Sequence, residues 1–265
     1  MLRSARAHPA LAGDVVGYRL VEDWAGVHAG RPIRTVPIPG AVLSVNFGRP
    51  NQLVGGPLAP RVSLLGVQSE SRAWRSWERT SFVMAILTLR GLVRLFPNAG
   101  DASAGQLVEL GALVGDAVTH ALADVCDAAE RFDRIVNALD RWLLARLQTV
   151  QAPAERIVAA LDALARHPVD AVAQELGVSR RQLHRWSTRH TGAAPKALAD
   201  LYRLEASLRA VQTGVGDALA GFADQPHQIR AWRRRLGVTP GRYVRTTGSE
   251  MARAFAAPDA LSFYL

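Results

Sequence analysis

Apolar and polar positions along this chain fall into two regimes, short apolar runs over the first third and helical spacing over the rest. Tyr18 to Asp23, Ile33 to Ile38, Ala41 to Gly48, Arg61 to Gln68 and Phe82 to Leu89 are rich in Val, Ile, Leu and Phe, which suit a half-buried pleated surface. Gly and Pro separate these runs at Gly30-Arg31-Pro32, Pro39-Gly40, Gly48-Arg49-Pro50 and Gly55-Gly56-Pro57. Short strands at this spacing predict a small sandwich or barrel between about Val15 and Phe96.

From about Gln106 the period changes. Leu107, Leu110 and Val114, then Val118, Leu122 and Val125, then Ile135, Leu139, Trp142 and Leu143 recur at helical spacing, predicting helices that cover the barrel and lead out of it. A polar break at Gln148 to Pro153 marks a boundary, because proline suits the first turn of a helix. The expected division is 1–150, 151–246 and a tail, 247–265, whose Phe255, Phe263 and Tyr264 suggest docking. The second part reads as helical throughout: Ala154 to Arg166, a pair of helices up to Gly192, and a long helix from Pro195 to about Gln212. A short helix, a glycine turn and a cation-rich helix follow. The fold class is therefore α+β, a small β-barrel or sandwich with covering helices followed by an all-α domain.

Asp170 to Gly192 carries the sharpest pattern. Ala173, Leu176, Val178 and Leu183 form an apolar seam, Gly177 allows a tight turn, and Ser179 stands at an N-cap position, the layout of a helix-turn-helix. Arg180, Arg181, Gln182, His184 and Arg185 follow the cap, on the helix that would enter a major groove.

Charge agrees with that reading. The formal net charge is +9, and Arg180 to Arg245 alone holds 13 Lys plus Arg against 4 Asp plus Glu, the other 199 residues being balanced. A localised basic excess is the footprint of a phosphate-binding face. Lys196 is the only lysine, so the preference for arginine itself reads as coding bias, and only its placement is informative.

Other chemistry is sparse. Cys126 is the only cysteine, so no internal disulfide or thiolate cluster is available, and its neighbours suggest a buried helical position. His8, His28, His120 and His167 are isolated, without the paired spacing of a metal site. No nucleophile and base constellation is visible, and Gly55-Gly56-Pro57 lacks the lysine of a phosphate loop. No catalytic residue, metal or cofactor is therefore expected. The start of the chain lacks a signal-peptide core and the longest apolar run is too short to span a bilayer, so a cytoplasmic protein without membrane contact is expected. Trp24, Phe47, Trp74, Trp77 and Phe82 either fill the barrel or line a small-molecule pocket.

The chain from about Pro153 to Arg245 resembles the DNA-binding domain of AraC/XylS-type transcriptional regulators. The resemblance rests on Ala173, Leu176, Gly177, Ser179, Arg181, Leu183, Arg185, Gly192, Pro195, Lys196 and Arg203. In the second half it rests on Gly221, Phe222, Asp224, Gln225, His227, Arg230, Gly237, Thr239, Pro240 and Tyr243. The upstream part resembles, more weakly, the cupin-like sensor region that precedes this domain in some members. The resemblance implies two recognition helices joined by a long helix and entering successive major-groove segments of double-stranded DNA. It implies base contacts from Arg181, His184 and Arg185, and from the second helix near Gln225 and Arg230; Ser179, Arg180, Gln182, His227, Arg233 and Arg234 are further candidate DNA contacts. A small-molecule effector, a homodimer and, for an activator, RNA polymerase are the implied further partners.

Three departures from the family pattern matter. Ser187 falls where the family places a core aromatic, with Trp186 one position earlier. The stretch between Arg203 and Gly221 is about one helical turn short, and Gln228 replaces an apolar residue. The supporting helix of the second motif is therefore expected to be short or frayed, so that base reading rests on the first motif while Arg230, Arg233, Arg234 and Arg235 meet phosphates. The leading function is a sequence-specific DNA-binding transcriptional regulator. Competing readings are a barrel enzyme or DNA-repair protein with a DNA-binding appendage, and a nonspecific nucleic-acid packaging protein.

Overall fold

The computed structural model describes residues 1–246 apart from Arg31, Glu130 and Ala220. The tail 247–265, with the aromatic residues expected to dock, lies outside the described residues.

Among the described residues nine strands form two antiparallel sheets: β1 (Leu2–Ala5), β2 (Val15–Asp23), β3 (Pro32–Thr35), β4 (Gly40–Asn46), β5 (Gln52–Leu53), β6 (Val62–Leu65), β7 (Arg72–Arg75), β8 (Thr80–Thr88) and β9 (Leu107–Glu109). The larger sheet runs β1-β2-β8-β4-β6-β9 and the smaller β3-β7-β5. All five strands expected from the apolar runs are present. Leu107 belongs to a strand paired with Leu65, so the helical spacing read from Leu107 through Val114 is corrected: three extended residues precede the helix, and the match to period was accidental.

Eleven helices are described: α1 (Leu89–Leu95), α2 (Ala99–Ser103), α3 (Gly111–Val114), α4 (Asp116–Asp127), α5 (Phe132–Thr149), α6 (Glu155–Ala163), α7 (Val169–Glu175), α8 (Arg180–Thr191), α9 (Pro195–Thr213), α10 (Gln225–Leu236) and α11 (Pro240–Thr246). On α4 the buried face is Thr119, Leu122, Ala123 and Cys126, while Val118 and Val125 are exposed. The expected stripe was thus displaced by about one residue, because a small polar side chain and Ala also fit against the core.

Strand alternation gives the larger sheet two different faces. Leu43, Val45, Val62, Leu64, Val83, Ala85 and Leu87 join Leu89, Leu92, Leu139 and Leu143 of α1 and α5 in the main core. The same core continues through Val158, Leu161, Val172, Leu183, Leu198 and Leu201. One apolar cluster therefore joins the sheet to the first helix-turn-helix. The opposite sheet face contributes Ile86, with Val36 and Ile38, to a second cluster containing Leu204, Leu208, Trp232, Leu236 and Tyr243. Each half of the helical region is seated on a different face of the same sheet.

The turn into α1 shows how tightly the first core is built. Thr88 caps the helix by accepting from the Gly91 amide at 2.9 Å. A Cβ at Gly91 would lie 1.9 Å from the Asp14 carbonyl oxygen, so only glycine fits. Buried Asp14 is held by Arg94 at 2.5 Å and Arg90 at 3.5 Å, which compensates its charge.

Candidate DNA interface and sensor cavity

The first motif is built as its sequence implies. Ser179 has extended backbone and its hydroxyl accepts from the Gln182 amide at 3.1 Å, satisfying one orphan donor of the helix start. Gly192 ends α8 with φ of +69°, a left-handed cap that favours glycine. Leu183, Ser187, His190 and Thr191 are buried, leaving Arg181, His184 and Arg185 exposed. Spaced three and four apart, they share one face of the helix. Gln182 is half-buried. Arg180 is exposed but pairs with Asp170 on α7 at 2.5 Å.

Ser187 does not leave a hole. Its hydroxyl donates to the Ala193 carbonyl at 2.5 Å, and the Thr191 hydroxyl donates to the Ser187 carbonyl at 2.7 Å. A polar turn lock thus occupies the place of the missing aromatic. Trp186 is half-buried against the main core with the Arg156 guanidinium 5.1 Å above its ring, a packing role rather than a groove contact.

The second motif departs further. Between the end of α9 at Thr213 and the start of α10 at Gln225 the described residues form turns and bends, so the short helix expected there is absent among them. A hydrogen-bonded knot holds α10 instead. Ser207 of α9 donates to the Ala218 carbonyl at 2.6 Å, and its oxygen accepts from Gln228 Nε2 at 3.0 Å and from Trp232 Nε1 at 3.1 Å. Gln228 also donates to Ala218 at 2.7 Å. The polar residue where an apolar one was expected ties the loop to α10.

Asp224 caps α10 by accepting from the His227 amide at 2.6 Å. The His227 ring accepts from the Ala223 amide at 3.4 Å and stands edge-on to Phe222 at 5.4 Å, so its exposed surface is limited. Gln225, Arg230, Arg233 and Arg234 are exposed. Arg235 is a correction: it is buried, donates to the Ser69 carbonyl at 2.9 Å and lies 3.5 Å from Asp200, so it holds α10 to the sheet domain and does not face phosphate. The Ser71 amide donates to the Arg235 carbonyl at 2.7 Å, completing the clamp. Sequence reading missed this clamp, and also the seat that α2 and the turn before it give α8, where His190 Nδ1 lies 3.1 Å from the Pro97 carbonyl.

Between the two sheets lies a cavity of about 440 Å³, within the usual range for small-ligand sites. Of the five aromatic candidates, Trp74 and Phe82 line it. Trp24 is exposed, Phe47 packs on the main core, and Trp77 stacks beside Arg49 at 4.6 Å. No group of His, Cys, Asp and Glu that could hold a metal occurs among the described residues. No helix among them is long and apolar enough to cross a membrane.

Residues 172–246 match a family described as a helix-turn-helix domain, and they lie in the part of the chain whose sequence resembles the AraC type. No curated protein matches the chain. Among solved structures, ToxT from Vibrio cholerae is 12% identical, with 87% of this chain and 99% of that chain covered and a TM-score of 0.46. A ToxT structure titled as bound to an unsaturated fatty acid is 14% identical, with 85% and 94% covered and a TM-score of 0.44. The AraC-like transcriptional activator CuxR is 14% identical, with 74% and 82% covered and a TM-score of 0.26.

Proposed function

We propose that this chain is a sequence-specific transcriptional regulator that reads base edges through Arg181, His184 and Arg185 of α8. The observation that carries the reading is that these three side chains are exposed together on a capped helix whose opposite face is locked into the core. Arginine can bond guanine O6 and N7 in a bidentate manner, worth about 1–3 kcal/mol of discrimination per good pair. In α10 the exposed Gln225, Arg230, Arg233 and Arg234 follow a loop in place of the supporting helix, so this helix is assigned mainly to phosphates, which give affinity without sequence information. Ser179 and Gln182 act at the helix start, where amides also suit phosphate, and Arg180 contributes once Asp170 releases it.

Residues 1–150 are assigned the sensing role, with the cavity between the sheets as the effector site, and 151–246 the DNA-binding role. Both α8 and α10 are fastened to the sheet domain, α8 at Pro97 and α10 at Ser69 and Ser71, which gives a strain at the cavity two routes to the recognition helices.

Footprinting on the intergenic DNA beside the gene tests the proposal. Wild-type protein is expected to protect a discrete site and Arg185→Ala to lose its preference for that site over random DNA. If Arg230→Ala alters sequence preference as much as Arg185→Ala, the division of labour between the helices is wrong.

A further inference from the structure

Arg156 of α6 lies ahead of the residues that match the helix-turn-helix family, yet α6 packs directly on α8. Its guanidinium stands 5.1 Å above the ring of Trp186, the residue next to Arg185. The adjacent Glu155 is turned away, 3.6 Å from Arg90. Arg156 itself is exposed and makes no ion pair or hydrogen bond among the described residues. A guanidinium stacked through its face keeps the N–H donors at its edge free for another partner. Arg146 shows the contrasting case: it lies over Phe96 at 4.8 Å and Trp142 at 5.6 Å, but its Nε already donates to the Leu95 carbonyl at 2.7 Å.

Helix geometry sets where that free edge points. An α-helix with its side chains is about 10–12 Å across, and the major groove of B-DNA is about 12 Å wide. A helix that inserts Arg181, His184 and Arg185 therefore brings its two flanks against the sugar-phosphate walls. Arg180 occupies one flank, beside Asp170. On the other, Gln182 and Arg189 adjoin Trp186 at helical spacing, and Arg189 is exposed. The stacked guanidinium of Arg156 adds a second cation to that flank.

We propose that Arg156, laid on Trp186, contacts a DNA phosphate, and that with Arg189 it grips the backbone along one flank of α8. The inference rests on the assignment of α8 to the major groove. It gives the displaced tryptophan a role: with the Ser187 lock in the core position, the half-buried ring carries a cation at the edge of the interface. Holding the guanidinium in place before DNA arrives removes part of the ordering cost of the contact. Because the target is a phosphate, the contact strengthens binding to every sequence alike.

The test measures binding of purified full-length protein to a duplex of the protected site and to a random-sequence duplex of equal length, over a salt series. Arg156→Gln is expected to lower the slope of log affinity against log salt by about 0.9 on both duplexes, as loss of one phosphate contact does. Preference for the specific duplex and urea unfolding should stay as in wild type. Arg141→Gln, which removes the same charge beside the groove between α4 and α5, should leave the slope unchanged. Trp186→Leu should weaken binding, and combining it with Arg156→Gln should cost less than the sum of the two single losses, since both act on one contact. An unchanged slope in Arg156→Gln, an equal fall in Arg141→Gln, or a full sum in the double variant overturns the assignment. Failure of the groove reading looks different: Arg185→Ala would then keep the wild-type preference, while the slope of Arg156→Gln on the random duplex still reports on the phosphate contact.

Discussion

Gly100 of α2 and Gly192 at the end of α8 meet backbone to backbone: a Cβ on Gly192 would fall 2.5 Å from the Gly100 carbonyl oxygen, and one on Gly100 2.2 Å from the Arg189 carbonyl. Neither distance is available to a real side chain. α8 therefore takes its position from a helix outside the helix-turn-helix domain. Gly100→Ala is expected to push α2 and α8 apart, at the cost of about 1–3 kcal/mol typical of overpacking. It should lower DNA affinity although residue 100 is far along the chain from any expected contact. Denaturant unfolding and a binding titration check both effects, and normal values for the two would show that α2 does not seat α8.

The knot at Ser207 makes a second expectation. Ser207→Ala removes the acceptor of both Gln228 Nε2 and Trp232 Nε1, and leaving buried donors unmet costs about 1–3 kcal/mol. Gln228 retains Ala218, so the loss falls most heavily on Trp232. Adding Gln228→Leu to Ser207→Ala should cost less than the sum of the two single changes, because both act on one network. Additive losses in a double-mutant cycle by urea unfolding would show that the groups are energetically independent.

What could be read from the chain followed from regular periods and strong local chemistry. The five strands marked by apolar runs, the Ser179 cap and the burial of Leu183 are local consequences of residue type. β1, β5, β7 and β9 escaped: Arg3, Arg72 and Arg75 interrupt the short apolar patterns of β1 and β7, β5 has only two residues, and Leu107 of β9 matched a helical period while its pairing is set by distant β6. Ser187 and Gln228 looked like gaps because the sequence does not name their acceptors, the Ala193 and Ala218 carbonyls. Arg235 was indistinguishable from Arg233 and Arg234 until the Ser69 carbonyl was in place beside it. The cavity stood in the sequence only as an alternative to a filled barrel, since it depends on the separation of two sheets; of the five aromatic candidates Trp74 and Phe82 line it.

Phosphate and base contacts separate by salt response. If Arg233 and Arg234 each neutralise one phosphate, replacing either by Ala should reduce the slope of log affinity against log salt by about 0.9 and weaken specific and random DNA alike. Arg185→Ala should instead cost about 1–3 kcal/mol of preference for the specific site. Competition binding across a salt series distinguishes them, and an unchanged slope in Arg233→Ala would remove that side chain from the interface.

Asp170 restrains Arg180 through an ion pair in which both side chains are mostly exposed. Such pairs contribute about 0–1 kcal/mol to stability. Asp170→Asn should therefore leave unfolding nearly unaltered. It should tighten DNA binding at low salt, by removing a negative charge beside the phosphates and freeing Arg180, with the gain fading as salt screens it. Equal affinity for wild type and variant at low salt would place Arg180 away from DNA.

Cys126 lies on the inward face of α4 and is 1% exposed. Burial pushes its thiol up to about 12, the Asp127 carboxylate adding to the rise and the Arg61 guanidinium opposing it. Only the thiolate attacks disulfide reagents. With a folded value near 12, about one thiol in ten thousand is ionised at pH 8, so native protein should resist labelling there and react at once when unfolded. The same shift has a stability consequence of definite sign. The folded state favours the neutral thiol, so its contribution is fully present below the unfolded thiol's value, about 8.5. It is lost as pH rises from there through the folded value of about 12. Cys126→Ala, although less stable overall from the lost volume, should show a shallower alkaline decline than wild type in urea unfolding. Parallel declines, or prompt native labelling at pH 8, would mean that the thiol is not enclosed by the core.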